Sequence, residues 1–340
     1  MAKKADKLLL SDFLFISGGD PASIAPEIIR KSLLDLSDHS EKLKILYFFN
    51  ASKKEKEKLI LELNQWDVFV LKNWEDLPIF LTIANQNKKV LILYEIANYN
   101  YKKPSLESAK LSYETLQIAC KKIKAHHCKG LVTAPVSKYW IQKLDPHFTG
   151  HTGYLANFFK KTVVMILYSD YFSVLPVTEH VAIKKVSKEF IKRIQSEEFL
   201  KILQNLHKKK IFKKKWVFLG FNPHCGENGH IGVEEIRYVI PFIKKLKSLN
   251  IKIEGPISSD SFFMSENLRK YDLIIGGYHD QVLIPFKMIA QLDGINITFG
   301  LPFLRTSPDH GTAYDIAFKD KADFRSMRNA ILFHYQKKWN

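Results

Sequence analysis

Trp216-Val217-Phe218-Leu219-Gly220-Phe221-Asn222-Pro223-His224-Cys225-Gly226-Glu227-Asn228-Gly229-His230-Ile231-Gly232 holds the fold in miniature. Trp216–Gly220 is an apolar run of strand length, and the residues from about Val233 to Leu249 repeat apolar positions at helical spacing. Between them, Asn222-Pro223 and the glycines make a tight turn that lets backbone approach closely. Strand, polar turn and helix in succession form the unit of an α/β protein with a largely parallel sheet. In such sheets, sites gather at the carboxyl ends of the strands.

The same alternation extends in both directions. Strands are expected at Phe13–Ser17, Lys44–Phe49, Val90–Tyr94, Gly130–Thr133, Val163–Tyr168, Phe172–Val177, Ile251–Glu254, Tyr271–Ile275 and Ile295–Phe299. Helices are expected at Ala25–Leu34, from about Ser52 to Leu63, at Ser105–Ala125, as one long element at Ser187–Leu206 with Ser187 as N-cap, after Tyr271–Ile275 to about Ala290, and from about Ala322 into the C-terminus. No G-x-G-x-x-G follows the first strand, so Gly18-Gly19-Asp20-Pro21 is a turn and any nucleotide binds in another way.

At 340 residues the chain is long enough for two domains with real cores. No apolar run reaches about 18 residues, the length of a membrane span. Met1–Leu10 lacks a signal-peptide core and cleavage site, which leads to an expectation of a cytoplasmic protein. The net charge of +17 is nearly all lysine, with little of the arginine that nucleic-acid readers use, so a solvated basic surface is expected and no nucleic-acid partner. Cys120, Cys128 and Cys225 make no C-x-x-C pair, which argues against disulfides and a cysteine-rich zinc site.

Three histidines lie at or just past strand ends: His180 in V-T-E-H, His224 in the opening stretch and His279 in Y-H-D-Q. Brought together by a parallel sheet, such imidazoles can hold one divalent metal. Asp280 can orient His279 or add an oxygen, and Asp260 is another strand-end carboxylate; the plainer alternatives are helix-start aspartates and an incidental loop histidine. A second group suits an anion. His151 and Thr152 open a helix after Gly150, Lys287 lies two turns beyond His279, and Asn296 and Arg305 flank Gly300-Leu301-Pro302. A third group, Asp309–Ala317, has small residues opening an expected helix, so that a nucleotide can approach at His310, Gly311, Thr312 and Asp315.

The ordered motifs G-D-P-A-S-I-A-P-E-I, V-T-A-P-V-S-K, F-T-G-H-T-G, N-P-H-C-G-E-N-G-H-I-G, G-P-I-S-S-D, Y-H-D-Q-V and N-I-T-F-G-L-P-F-L-R-T-S-P-D-H-G-T-A run from about Phe13 to Ala317. Together they resemble the 4-hydroxythreonine-4-phosphate dehydrogenase family of vitamin B6 biosynthesis. The Asp309–Ala317 segment resembles the nucleotide loop of isocitrate and isopropylmalate dehydrogenases. The resemblance implies two α/β/α domains with the active site in the cleft between them. One is discontinuous, residues 1–133 with 291–340, and carries the nucleotide loop. The other, 134–290, carries the metal ligands and a homodimer interface that shares the site. It further implies His180, His224 and His279 as ligands of one divalent metal (Zn, Mg, Co or Mn), and His151, Thr152, Lys287, Asn296 and Arg305 as substrate contacts. The implied reaction is NAD(P)-dependent oxidation of 4-phosphooxy-L-threonine at C3, then decarboxylation to 3-amino-2-oxopropyl phosphate. The proton acceptor stays open among Asp280, Asp260 and Lys138, and a paralogous dehydrogenase of a phosphorylated sugar acid, such as 4-phosphothreonate, is the alternative. Ser23, Ala25, Gly153, Glu179, Val282 and Phe318 depart from the family pattern, which bears on substrate and cofactor preference.

Overall fold

The computed structural model describes residues 10–84, 87–100, 103–264 and 266–336. The basic start, residues 1–9, and the expected run of the last helix past residue 336 lie outside the described residues. In chain order the structure has β1 (Leu14–Ser17), α1 (Ala25–Asp35), β2 (Leu43–Phe49), α2 (Lys53–Glu62), β3 (Asp67–Leu71), α3 (Leu77–Ala84), β4 (Lys89–Glu95) and α4 (Leu106–Ala125). There follow β5 (Gly130–Thr133), α5 (Lys138–Gln142), α6 (His151–Phe159), β6 (Val164–Tyr168), β7 (Ser173–Thr178), α7 (Ile183–Ile194), α8 (Glu197–Lys208) and β8 (Lys215–Leu219). The rest is α9 (Ile240–Ser248), β9 (Ile253–Ile257), α10 (Ser259–Phe263), β10 (Tyr271–Tyr278), α11 (His279–Ala290), β11 (Ile295–Phe299), β12 (Arg305–Pro308) and α12 (Arg325–Gln336). No helix among the described residues is long and apolar enough to cross a membrane.

The described residues form two compact units, 10–160 with 301–336, and 161–300. The first unit has strand order β3-β4-β2-β1-β5-β12, with its pairs parallel. Every residue of β1, β2 and β5 is buried, as expected of strands covered on both faces. The second unit has order β11-β6-β7-β10-β8-β9. There β6 runs antiparallel to both neighbours, while β7, β10, β8 and β9 are parallel. The expected mostly parallel α/β sheet is therefore present in both units.

The expected single helix Ser187–Leu206 is two helices, α7 and α8. Ser187 lies inside α7 and donates to Glu234, while the cap is Ser196, whose hydroxyl accepts from Phe199 N at 3.3 Å. Glu197 and Glu198 then sit at the positive end of α8. The break lets each helix bury its own stripe, Val186, Phe190 and Ile194 on α7, and Phe199, Ile202, Leu203 and Leu206 on α8.

One buried histidine gives this fold a pH dependence. His334 of α12 is 5% exposed, and its Nε2 lies 3.0 Å from Thr306 Oγ1. Burial first, and then the charge of Lys129, hold its pKa down to about 3. The unfolded chain takes up this proton near pH 6.5, while the folded chain waits until about 3. Stability is therefore whole above about 6.5 and falls by roughly 1.4 kcal/mol per pH unit between the two. His151, also held low by burial, acts in the same direction. Thermal melts from pH 7 to 4 are expected to show a shallower acid decline in His334→Gln than in the parent; equal slopes would contradict this origin.

Candidate active site

In the second unit, β7, β10 and β8 are parallel neighbours, so their carboxyl ends lie along one sheet edge. His180 follows β7, His224 follows β8, and His279 begins α11 directly after β10. The His180 and His279 ring centroids are 5.6 Å apart. Those two rings and Asp280 line a cavity of about 240 Å³, and His224 and Asp260 line one of about 270 Å³; Tyr278 borders both. Among the described residues of the single chain, no three His, Cys, Asp or Glu side chains converge as a metal cage.

The turn carrying His224 is tighter than its glycines alone suggest. His224, Cys225, Gly226, Glu227 and Asn228 all have positive φ, from 43° to 77°, which makes a left-handed turn. Each non-glycine residue there costs on the order of 1 kcal/mol, so surrounding contacts must hold it. Asn222 supplies them: its N–H donates to Glu235 at 2.7 Å, and its side-chain amide donates to Glu234 at 2.8 Å and Glu235 at 2.9 Å. At Gly226 a Cβ would lie 2.4 Å from the Gly232 carbonyl, so only glycine fits.

Both His224 and His279 are oriented by a carboxylate at Nδ1, His224 by Glu227 at 2.9 Å and His279 by Asp280 at 2.6 Å. In metal sites a carboxylate at Nδ1 goes with ligation through Nε2, so each of these two rings is suited to a cation. The Glu227 hydrogen bond, and then its charge, raise the His224 pKa. Asp260 is near enough to His224 to feel its charge, but its own pKa is lowered first by Ser258, whose hydroxyl donates to it at 2.6 Å.

Gln281, to which the sequence assigned no role, and Glu179 build this edge. Gln281 accepts from Gly277 N at 2.6 Å and donates to Gly220 O at 2.6 Å and Ser259 Oγ at 2.7 Å, tying the ends of β10 and β8 to α10. In the H-D-Q motif it is the uncharged third residue, beside a histidine and an aspartate with evident chemistry. Glu179, a departure from the family pattern, accepts from Met165 N at 3.1 Å where β6 and β7 separate, and burial raises its pKa. Asn296 on β11 is half-buried, with an Oδ1 closed from solvent and without a hydrogen-bond partner among the described residues. Lys287 is exposed on α11.

The first unit gathers a cationic cradle. Gly150 caps α6, and the Lys138 side chain lies across it, so that a Cβ at Gly150 would meet Lys138 Cε at 2.6 Å. Next along, the His151 Nε2 is shut from solvent without a hydrogen-bond partner among the described residues. Burial, then the charges of Arg305 and Lys138, keep this ring neutral by holding its pKa well below the ordinary value. Arg305, 2% exposed at the start of β12, donates from Nε to Thr133 Oγ1 at 3.1 Å, and burial lowers its pKa to about 9. Two cations and a helix N-terminus around a dry imidazole suit an anion. Thr152 is half-buried in the same first turn. At Gly153 a Cβ would meet Thr149 Oγ1 at 2.0 Å, so a larger residue there needs the threonine hydroxyl to turn away.

The Asp309–Ala317 segment does not open a helix, contrary to the sequence expectation. His310 through Ala313 lead into turns over 314–320, with Ala313 at φ 41° and Phe318 at φ 62°. At Gly311 a Cβ would meet nothing within 4 Å, so that side of the loop is open. His310 places Nδ1 3.2 Å from the Gly311 carbonyl, and Thr312 accepts from Ile24 N at 3.1 Å. Asp315 is exposed just beyond.

Parallel α/β units, strand-end histidines and a cationic cradle make an α/β protein with a site suited to an anion, and its relatives make the class an enzyme of the dehydrogenase kind. The sequence model described as pyridoxal phosphate biosynthetic protein PdxA matches residues 42–333, and the chain belongs to this family. It is 35% identical to 4-hydroxythreonine-4-phosphate dehydrogenase of Aquifex aeolicus over 93% of this chain and 95% of that one. It is 32% identical to D-threonate 4-phosphate dehydrogenase of Pectobacterium atrosepticum, over 95% and 98%. The crystal structure of 4-hydroxythreonine-4-phosphate dehydrogenase from Klebsiella pneumoniae superposes with a TM-score of 0.77 at 28% identity, over 97% of this chain and 99% of that one.

Proposed function

We propose that the chain oxidises 4-phosphooxy-L-threonine at C3 with NAD(P)+ and a divalent metal, and that the β-keto acid formed then loses CO2 to give 3-amino-2-oxopropyl phosphate. The cationic cradle of Lys138, His151 and Arg305 carries this reading, because a dry anion site of that kind suits a phosphate monoester. Thr152, Lys287 and Asn296 complete the phosphate contacts, and holding the phosphate fixes C3 for reaction. His180, His224 and His279 hold the metal, with Glu227 and Asp280 orienting two of the rings. When bound, the cation lowers the pKa of the substrate hydroxyl and stabilises negative charge after hydride departure. His310, Gly311, Thr312 and Asp315 would hold the nucleotide of NAD(P)+, which would supply the hydride acceptor. The hydroxyl proton goes to Asp260 or Asp280, because Lys138, as a cation of the cradle, has no lone pair to take it.

A homodimer with a shared site belongs to the same proposal. Ile284, Met288 and Leu292, at 56%, 74% and 47% exposure, form an uncovered apolar stripe along and just past α11 that a second copy would bury. The D-threonate 4-phosphate dehydrogenase relative supports a second reading, in which 4-phosphothreonate is the substrate. Nicotinamide absorbance followed with each compound, plus NAD+ or NADP+ and Mg2+, Zn2+, Co2+ or Mn2+, separates the two. Turnover of 4-phosphooxy-L-threonine is expected. Turnover of 4-phosphothreonate alone would replace the first reading by the second.

A further inference from the structure

The segment between β12 and α12 has little regular structure to hold its shape, and Ala313, Phe318 and Asp320 all adopt positive φ, at 41°, 62° and 58°. Its far end is pinned on α1, where Arg30 donates to Asp320 at 2.7 Å and Glu27 accepts from Ala322 N at 2.7 Å. Its middle, next to the open side at Gly311, is held by Ile24 N on the Thr312 carbonyl and by the Tyr314 hydroxyl, which donates to Asp20 Oδ2.

Asp20 is fully buried and fixed from several sides. Its Oδ1 accepts from Ala22 N at 2.9 Å, and its own N–H donates to the Pro135 carbonyl at 2.8 Å. Burial raises its pKa, opposed by the hydrogen bonds from Tyr314, Ala22 and Ser108. Burial and the charge of Asp20 keep the Tyr314 phenol protonated far above its ordinary range, while nearby hydroxyls of Ser137 and Thr312 act in the opposite direction. The segments that follow β1 and β5 thus meet the segment after β12 at one phenol oxygen. A buried carboxylate is a costly anchor unless its geometry is used.

We infer that Tyr314 is a positioning residue for the nicotinamide nucleotide. Its hydroxyl, seated on Asp20, sets His310–Thr312 in the shape the nucleotide meets, so that less ordering remains when it binds. The inference rests on the nucleotide-dependent dehydrogenase reading above.

Tyr314→Phe removes the hydroxyl and keeps the ring. The dissociation constant and KM for NAD+ are expected to rise about tenfold, the size of one well-placed hydrogen bond, while KM for the phosphorylated substrate stays within about twofold. Asp20→Asn provides a second route to the same loss, and adding Tyr314→Phe to it is expected to change NAD+ affinity little further. Unchanged NAD+ affinity in a folded Tyr314→Phe, or an equal rise in both KM values, would overturn the positioning role alone. A parent protein that binds neither NAD+ nor NADP+ in the same titration would overturn the dehydrogenase reading, and the positioning role with it.

Discussion

His224→Ala is expected to lose divalent-cation binding and turnover while remaining folded. The imidazole is exposed, and the turn beneath it is held by Asn222 on Glu234 and Glu235, not by the ring. Melting without metal should therefore move little, by about 0.5 kcal/mol for a surface change plus a small strain term, because alanine tolerates the φ of 48° less well than histidine. His224→Asn, which accepts that backbone conformation, controls for the strain. Cation affinity is expected to fall at least about 100-fold, since loss of a supporting residue alone costs up to that much and here a ligand is removed. Metal content after dialysis, and the metal-dependent rise in melting temperature, report this directly. The raised pKa of His224 adds a sign: protons compete for the ring, so cation affinity should increase with pH through and above the ordinary histidine range. Full activity in His224→Ala would remove His224 from the metal site.

The second large effect is expected at Arg305. Arg305→Met keeps the length and apolar stem of the side chain but removes a guanidinium held 2% exposed beside His151. Removing one partner of a buried, hydrogen-bonded charge contact costs roughly 2–5 kcal/mol, so kcat/KM for the phosphorylated substrate should fall about 30-fold or more. Stability need not fall, because an apolar side chain replaces a desolvated charge. Arg305→Lys should recover only part of the loss, since a point charge does not reproduce the planar fork on Thr133 and a phosphate. The comparison that isolates the phosphate is the ratio of kcat/KM for the phosphorylated substrate to that for its unphosphorylated form. That ratio should collapse in Arg305→Met; if both forms fall equally, the arginine serves the fold and not the phosphate.

Much of this was legible in the chain. Period and punctuation sufficed for the α/β class, because buried parallel strands such as Leu43–Phe49 are continuous apolar runs between amphipathic segments. The strand-end histidines were legible because polar residues stand out at the ends of such runs. Three features were not. The break at Gln195–Ser196 was masked by apolar spacing that continues across it, although Ser196-Glu197-Glu198 is a capping signal in plain sight. The segment after Asp309 has helix-like composition, yet tertiary contacts to Ile24 and Asp20 take its backbone elsewhere. Gln281 carries no charge and titrates at no useful pH, so nothing local distinguishes a residue that joins two strand ends from a solvated amide. The cradle is different again. The sequence already grouped His151 with Arg305, but only the fold brings the charges of Lys138 and Arg305 to one buried imidazole.

The most direct measurement counts products. The metal-stripped protein is given 4-phosphooxy-L-threonine, NAD+ and a divalent cation, and NADH and CO2 are quantified against substrate consumed. One NADH and one CO2 per substrate are expected, with both abolished by a chelator and restored by added cation. NADH without CO2, turnover indifferent to the chelator, or no NADH at all would contradict a metal-dependent oxidation followed by decarboxylation.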